Sequence, residues 1–292
     1  MSEIVAPVTH SNSLLAFHRK MLRDKPLGGV GGIVCALFLF CGLFADFLAP
    51  YGMNETDMRR VLEAPSLAHW MGTDHIGRDV FSRILYGAQL SVIIGFVAAG
   101  LATIISIVLG VLTGYFGGKA DMLIQRFVDA WMTFPDLVVL IVVVSIIGAG
   151  VNPIIIILGC VYGIAGSRII RGSTIAVREN MYTHAAQSMG ANTLHIIWFH
   201  VLPNVMPVVI VLFTTRVGAV ILAEAGLSFL GLGIPPPAPT WGSMLSGGGR
   251  TYMYVGPWLA LAPGLALTVV VYAINVYGDA LRDMLDPRMR GR

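Results

Sequence analysis

Charged residues are scarce in this sequence. Only 12% of its 292 residues are Asp, Glu, Lys or Arg, whereas 56% are hydrophobic. Soluble globular domains carry about twice that charged fraction, so the composition excludes an ordinary soluble domain. The net charge of +3 is too small to indicate nucleic-acid binding. The long apolar runs indicate instead a protein that spans a lipid bilayer.

Cysteine is also rare, and each of the three, Cys35, Cys41 and Cys160, lies in an apolar run. Cys35 and Cys41 are six residues apart, so they would lie on different faces of one helix and are not expected to form a disulfide. We expect all three to be buried free thiols. The first apolar run, beginning near Leu27, has no small-residue cleavage site before its polar flank, so we expect it to remain as a membrane anchor.

The common catalytic motifs are missing. The sequence has no HExxH, no pair of carboxylates at a useful helical spacing, and no glycine-rich phosphate loop followed by Lys-Ser or Lys-Thr. We therefore expect no catalytic residue, no metal site and no cofactor in this chain, and no binding of ATP by the chain itself. His184, His195 and His200 invite a metal hypothesis, but contact with a partner or with lipid headgroups is the favoured interpretation.

Six apolar segments are long enough to cross a bilayer, which requires about 20 residues. They are Leu27–Ala49, Leu90–Gly118, Met122–Ile147, Pro153–Val177, the residues from Pro203 to near Leu230, and Pro257–Tyr277. An open sheet is excluded because its unpaired backbone groups cannot face lipid, and the runs are too continuously apolar for a membrane barrel. The sequence therefore predicts an all-α membrane protein with six transmembrane helices.

The distribution of Lys and Arg predicts the orientation. With the N-terminus inside, thirteen of these residues fall in inner segments, five in outer segments, and Arg216 within a span. Both termini are therefore expected in the cytoplasm. The predicted parts are a cytoplasmic tail (1–26), a first transmembrane helix (27–49), an extracytoplasmic segment (50–88), a five-helix core (89–282) and a second cytoplasmic tail (283–292). The core is expected to include a cytoplasmic helix (181–193) and a proline-rich, extended outer loop (231–256).

Residues 181–203 form an amphipathic segment between two apolar spans. Met181, Ala185 and Met189 recur at a spacing of four, which on a helix makes a narrow stripe that could dock in a groove of another protein. A glycine then allows a sharp turn, and a Leu-Pro pair is expected to begin the next helix. The candidate partner-contacting residues are Met181, Tyr182, His184, Ala185, Ala186, Met189, Gly190, Leu202 and Pro203.

The spacing of this segment resembles the cytoplasmic coupling loop of binding-protein-dependent ABC importers. That loop reads Glu-Ala-Ala, three residues, Gly, nine residues, Ile, one residue, Leu-Pro. The five matching positions here are Ala185, Ala186, Gly190, Leu202 and Pro203. His184 stands in place of the Glu, and His200 in place of the Ile.

Three further stretches, residues 72–91, 226–245 and 263–288, resemble the dipeptide/oligopeptide/nickel permease family, and within it the second, C-type membrane subunit. Gln89 stands where the family commonly has Arg after Tyr-Gly-Ala. The resemblance implies the architecture of a type I ABC importer permease in a bacterial inner membrane. It also implies a homologous B-type permease subunit, two cytoplasmic ATPase subunits that bind ATP and Mg, and an extracytoplasmic substrate-binding protein.

The resemblance implies import of dipeptides or oligopeptides, and leaves glutathione, nickel chelates and other small solutes as alternatives. A secondary transporter without an ATPase is a rival, but it would need coupling-ion sites and usually internal repeats. An intramembrane enzyme is a second rival, which the missing catalytic set disfavours.

Ionisable residues within membrane spans are costly and often functional. Asp129, Asp136, Arg216 and Glu224 are therefore candidates for the translocation path or its gate, and the alternative for each is a structural partner on a neighbouring helix. Small residues spaced four apart predict close helix packing; these are Gly110 and Gly114, followed by Gly117 and Gly118. The candidate contacts of the binding protein are Asp74, Arg78, Asp79, Pro236 and Trp241.

Overall fold

The computed structural model describes residues 14–285 of the chain, with side chains from residue 18 onward. Helices dominate this part of the protein, and the described residues contain no strand. The outermost residues of the two predicted tails, 1–13 and 286–292, lie outside the described residues. The all-α prediction is therefore confirmed for the part of the chain that forms the bundle.

The helices, in chain order, are α1 (Leu14–Asp24), α2 (Pro26–Leu43), α3 (Ala45–Leu48), α4 (Val80–Phe116), α5 (Gly118–Met132), α6 (Asp136–Ile147), α7 (Val151–Arg178), α8 (Met181–Ser188), α9 (Thr193–Ile196), α10 (Leu202–Phe229), α11 (Trp241–Met244), α12 (Arg250–Tyr252) and α13 (Trp258–Leu285). Two π-helical turns, Ile197–Val201 and Leu245–Gly249, join α9 to α10 and α11 to α12. Five helices between residues 14 and 285 are long and apolar enough to span a membrane, and α5 with α6 makes a sixth, bent candidate.

The third predicted span is not one straight helix. α5 and α6 meet at an angle of 91° across a short break. Pro135 lies in this break, where it lacks a backbone N–H and disfavours a helical conformation in the residue before it. The expectation of a continuous helix over Met122–Ile147 was wrong because it gave this proline too little weight.

The boundaries of two other spans also differ from the prediction. α4 begins at Val80 rather than Leu90, because the Asp79 carboxylate accepts a hydrogen bond from the Ser82 N–H at 2.7 Å and so caps the helix. Residues 80–88 of the predicted outer segment are therefore helical. α13 continues to Leu285, beyond the predicted end at Tyr277.

Glycines allow α4 and α7 to pack closely along the centre of the bundle. A Cβ atom at Gly110 would lie 2.7 Å from the Ser167 carbonyl oxygen, and one at Gly114 would lie 2.8 Å from the Arg171 carbonyl oxygen. This confirms the predicted close helix approach for these two glycines. Gly117 instead has a φ of +62°, which glycine adopts without strain, and it forms the turn into α5.

The segments before α4 and after α10 fold together into one layer at one end of the bundle. We call residues 50–79 and 231–257 the cap. Trp258, the first residue of α13 and the residue directly after the second segment, donates its indole N–H to the Thr73 carbonyl of the first segment at 3.1 Å. The expectation that residues 231–256 are extended was wrong for 241–252, which are helical. This helical stretch begins with α11, whose N-terminus is stabilised because the Thr240 hydroxyl accepts a hydrogen bond from the Ser243 N–H.

The cap and α8 lie at opposite ends of the bundle. α4 begins at the cap and ends at Phe116. Beside that end, the Arg178 guanidinium donates to the Tyr115 carbonyl at 3.0 Å, and α8 begins three residues after Arg178. The three cysteines are free and partly buried within the bundle.

Candidate coupling surface and transport path

One face of α8 is attached to the membrane helices of its own chain. The buried Thr183 hydroxyl donates to the Val177 carbonyl at the end of α7, at 2.9 Å. Ala186 is 4% exposed and belongs to a buried cluster with Val201 and Val205 at the start of the fifth span. α8 therefore packs against the end of α7 and against the buried cluster at the start of the fifth span.

The opposite face of α8 is apolar and uncovered. Met181 is 88% exposed, Met189 is 82% exposed, and Tyr182 and Ala185 are also exposed. The stripe predicted from the spacing therefore exists, with one correction. Ala186 was expected to face a partner, but it faces the interior of its own chain, because it lies on the same side of the helix as Thr183.

A glycine ends this surface. Gly190 has a φ of +83°, and the N–H of the following residue donates to the Ala186 carbonyl at 3.1 Å. This geometry is typical of a helix that terminates in a left-handed residue. The sharp turn predicted at Gly190 is present.

The Leu202–Pro203 pair begins α10, as the sequence predicts, but helical backbone already precedes it. The helical segment starts at Thr193, where the Asn192 side chain accepts a hydrogen bond from the His195 N–H at 2.7 Å. A π-helical turn precedes Pro203, and within it the Leu202 N–H bonds to the carbonyl five residues earlier. Since proline cannot donate the regular helical bond, the wider turn is an expected accommodation. Leu202 is partly buried and Pro203 is exposed.

The π-helical turn adds two aromatic residues that were missed by the sequence analysis. Trp198 is 64% exposed and Phe199 is 67% exposed. Their adjacency in the sequence, just before Leu202 and Pro203, could have pointed to them. They lie near the beginning of the fifth span, which starts at Thr193.

The three histidines of this region contact neighbouring side chains of the same segment. The His184 Nε2 atom lies 3.9 Å from a Glu179 carboxylate oxygen, and the rings of His195 and Phe199 lie 4.6 Å apart. His200 lies 6.3 Å from the Tyr182 ring. A hydrogen bond from Arg178 lowers the pKa of Glu179, so this carboxylate stays charged beside His184. Among the residues that the structure describes, no three His, Cys, Asp or Glu side chains are placed to hold a metal ion.

Asp129 has a structural partner on a neighbouring helix. Its carboxylate lies 3.3 Å from the Arg168 guanidinium on α7. A second pair joins the same two helices, since Arg171 donates twice to Asp121, at 2.7 Å for each bond. The structural alternative for Asp129 is therefore the better supported one.

Asp136 and Arg216 are brought to one region of the bundle, together with a residue that was not predicted. The Arg216 guanidinium lies over the Tyr162 ring, 5.1 Å from its centre, and its Nε atom is buried without a hydrogen-bond partner. Asp136 is exposed at the start of α6, a helix that packs against both α7 and α10. Tyr162 and Arg216 thus meet midway along α7 and α10, and Asp136 lies on the helix beside them.

Glu224 is enclosed by its own chain. It is 2% exposed, and the Ser228 hydroxyl donates to its Oε1 atom at 2.6 Å. Gly242 of the cap packs directly against the backbone of Ala225, the residue that follows Glu224. The structure therefore gives Glu224 an internal role where the fifth span meets the cap, and not an exposed position at the mouth.

Four of the five predicted contacts of the binding protein have intramolecular partners. Asp74 and Asp79 are 5% and 3% exposed, and the Arg78 side chain donates to Asp74 at 2.6 Å. Trp241 is 2% exposed and donates its indole N–H to the Ile84 carbonyl at 3.1 Å. These residues hold the cap together, and only Pro236 is exposed. Polarity in a loop had suggested external contact, whereas here the polar groups satisfy one another.

Comparison with known proteins agrees with this arrangement. A family described as the binding-protein-dependent transport system inner membrane component matches residues 106–291. The glutathione transport system permease protein GsiD of Pectobacterium atrosepticum is 38% identical over 94% of this chain and 91% of its own length. The dipeptide transport system permease protein DppC of Alkalihalophilus pseudofirmus is 40% identical over 93% of this chain and 89% of its own length.

Two further likenesses concern a third relative and the fold. The probable D,D-dipeptide transport system permease protein DdpC of Escherichia coli K12 is 36% identical over 93% of this chain and 91% of its own length. An inward-facing structure of the MetNI methionine ABC transporter matches with a TM-score of 0.56 and 18% identity, over 70% of this chain and 96% of that one. This likeness establishes the type I importer permease fold. The chain therefore belongs to the inner-membrane components of binding-protein-dependent transport systems, as a multi-pass permease subunit of an ABC importer.

Proposed function

We propose that this permease imports dipeptides or oligopeptides, paired with a homologous B-type permease subunit. ATP is bound with Mg and hydrolysed on two separate cytoplasmic ATPase subunits, and a binding protein delivers the substrate from outside. The names of the three relatives support a peptide substrate, because glutathione, dipeptides and D,D-dipeptides all contain amide-linked amino-acid units. A nickel chelate or another small solute is the alternative.

The uncovered apolar face of α8 is the observation that carries the coupling proposal. Met181 and Met189 are more than four-fifths exposed at a membrane-proximal surface. An amphipathic helix of this kind suits a hydrophobic groove on a partner, and methionine adapts to such grooves because its side chain is flexible and polarisable. The ATPase subunit is the partner that we assign to this face.

The attachment of α8 suggests how movement reaches the membrane helices. Thr183 anchors α8 to the end of α7, and Ala186 anchors it to the start of the fifth span. When the ATPases close on ATP, α8 moves with them and carries the cytoplasmic ends of α7 and α10. The result is rigid-body gating of a path that opens to alternate sides of the membrane.

The substrate path is assigned to the region of Asp136, Tyr162 and Arg216. A partly buried guanidinium whose Nε has no partner can interact with a carboxylate or a peptide carbonyl of a passing substrate. Asp136 provides the opposite charge for an amino group. Neither residue offers an enclosed, high-affinity site, which suits release after each transport cycle.

We assign α8 to the cytoplasmic side and the cap to the outside, where Pro236 and its exposed neighbours meet the binding protein. Both termini are then cytoplasmic. This orientation follows the distribution of Lys and Arg along the sequence.

The experiment that tests the proposal places a charge on the exposed stripe. Ala185→Arg should leave the permease inserted but reduce peptide uptake and recovery of the ATPase subunits with the purified complex by at least about tenfold, since the charge is buried on docking. Gln187→Arg is the matched control, because Gln187 is exposed on the same helix but lies away from the stripe. Normal uptake and normal ATPase recovery with Ala185→Arg would refute the coupling proposal.

A further inference from the structure

The cap borders a partly open cavity of about 390 Å³. It lies where the beginning of α4 meets the proline-rich segment, the second π-helical turn and the beginning of α13. The side chains that matter for its chemistry are Asp74, His75, Arg78, Arg83, Met244 and Leu259. The volume is within the range of small-molecule sites, which enclose about 300–1,000 Å³.

Arg83 is the central cation of this cavity. Its side chain is 7% exposed, and its Nη1 atom donates a hydrogen bond to the Met53 carbonyl at 3.1 Å. No carboxylate of the described residues lies within ion-pair distance of Arg83. A guanidinium has five N–H donors, and a buried charge without a counter-ion is costly. The arrangement is therefore suited to an anion that enters the cavity.

The only acidic side chain in the cavity lining is already engaged. Asp74 accepts the Arg78 side chain at 2.6 Å and the backbone N–H groups of Ile76 and Arg78 at 2.9 Å each. These three bonds leave Asp74 committed to its own loop. Two arginines against one carboxylate give the lining an excess positive charge.

His75 adds a second polar group without a partner. Its ring stacks on Tyr252 at 5.5 Å, and its Nδ1 atom is buried without a hydrogen bond. Met244 and Leu259 provide an apolar wall. The cavity thus combines a cationic end, an imidazole ring and a surface for an aliphatic group.

We propose that this cavity binds the carboxylate end of a small peptide, with Arg83 as the principal contact. A terminal carboxylate matches the planar donor geometry of a guanidinium, and the bonds between them are charge-assisted. The apolar wall receives the adjoining side chain. The inference rests on the proposed peptide substrate and adds a holding site on the cap, separate from the path at Arg216.

The test compares L-alanyl-L-alanine with its C-terminal amide. Binding to the assembled transporter in nanodiscs, without binding protein, is measured by saturation-transfer NMR. The amide should bind at least about tenfold more weakly, because it lacks the charged acceptor. Arg83→Gln should weaken dipeptide binding by a similar factor and abolish the difference between the two ligands. Arg59→Gln removes an exposed cap arginine outside the cavity lining and should change neither value.

A second variant keeps the test independent of folding. Ala238 lines the cavity, and Ala238→Cys can be modified with N-ethylmaleimide after assembly, in a background without Cys35, Cys41 and Cys160. Modification should abolish dipeptide binding to the cap. Equal binding of dipeptide and amide, or binding that survives modification, would overturn the proposal.

Two outcomes separate this inference from the functional proposal. If Arg83→Gln weakens docking of the binding protein but leaves dipeptide binding unchanged, the cavity receives a protein carboxylate and the inference is wrong. If the complete transporter imports the dipeptide while the amide binds equally well, the cavity inference fails and the importer proposal stands. If the complete transporter does not import the dipeptide at all, the assignment of a peptide substrate fails.

Discussion

The two ends of the bundle differ in which side chains they expose and which they bury. At the end with α8, large apolar side chains are uncovered, with Met181 88% exposed and Trp198 64% exposed. The cap also exposes apolar side chains, Leu67 among them at 98%, but it buries charged side chains, with Asp74 5% and Asp79 3% exposed. Apolar groups outside and polar groups inside are each unusual in an isolated soluble protein.

The difference indicates what each end does. In the proposed function, the uncovered apolar stripe of α8 is the surface that the ATPase subunit covers. Buried polar groups that bond to one another make a rigid layer, because the loss of one partner leaves another unsatisfied. We therefore expect the cap to be a rigid layer beside the cavity, and the α8 end to be the part that moves with the ATPase subunits.

The largest expected effect separates the two faces of α8. Ala186→Arg places a charge in the buried cluster around Val201 and Val205, and should destabilise this region by at least about 3 kcal/mol. Recovery of correctly assembled permease should fall sharply in size-exclusion profiles. Ala185→Arg, one residue away on the exposed face, should assemble normally. Equal recovery of the two variants would show that the α8 helix is not oriented as described.

The next effect tests the rigidity of the cap. Asp79→Ala removes the carboxylate that accepts the Ser82 N–H at the N-terminus of α4. It also removes the hydrogen bond from the Ser82 hydroxyl and the contact with His69 at 2.9 Å. It should cost about 2–3 kcal/mol and lower the unfolding temperature of the detergent-solubilised protein. Asp57→Ala, at an exposed site of the same segment, is the control and should cost little. A cap that tolerates both changes equally would not be a rigid layer.

A smaller effect concerns the turn after α8. Gly190 has a φ of +83° and Gly172 does not have a positive φ, although an added Cβ atom has open space at both positions. Gly190→Ala should therefore strain the turn by about 1–2 kcal/mol and reduce uptake, whereas Gly172→Ala should leave uptake unchanged. Measurement of initial uptake rates compares the two. Identical rates would mean that the geometry of this turn is unimportant for coupling.

The smallest effect lies where the first span meets α4. Gln89 donates to Asp46 at 3.3 Å, in place of the ion pair that an arginine would make. Gln89→Arg should raise stability by no more than about 0.5–1 kcal/mol, because this contact is exposed. The gain should shrink in high salt. A gain that is the same at low and high salt would show that charge is not its cause.

Much of the membrane architecture could be predicted from the sequence, because long apolar runs have few alternatives in a bilayer. The stripe on α8 and the turn at Gly190 followed from spacing. The break at Pro135 was missed because hydropathy continues across it, although the proline itself was visible. The start of α4 at Val80 was missed because polar residues in its first turns resembled a loop.

The roles of individual polar residues were harder to predict. Asp74, Asp79 and Trp241 looked like surface contacts, since a sequence does not show which distant backbone group will satisfy them. Tyr162 was not predicted beside Arg216 for the same reason, because 54 residues separate them in the chain. Spacing within one helix is readable, whereas pairing between segments requires the folded structure.

The central claim is that the exposed stripe of α8 is the surface on which the ATPase acts, on the side of the membrane opposite the cap. Three single cysteines, Ala185→Cys, Asn54→Cys and Ala238→Cys, introduced in a background without the native cysteines, test it through labelling with a membrane-impermeant maleimide. Asn54→Cys and Ala238→Cys should label in intact cells. Ala185→Cys should label only in inside-out vesicles stripped of ATPase subunits, and rebinding of those subunits should protect it. Labelling of Ala185→Cys from outside, or labelling that rebound ATPase does not reduce, would contradict the account.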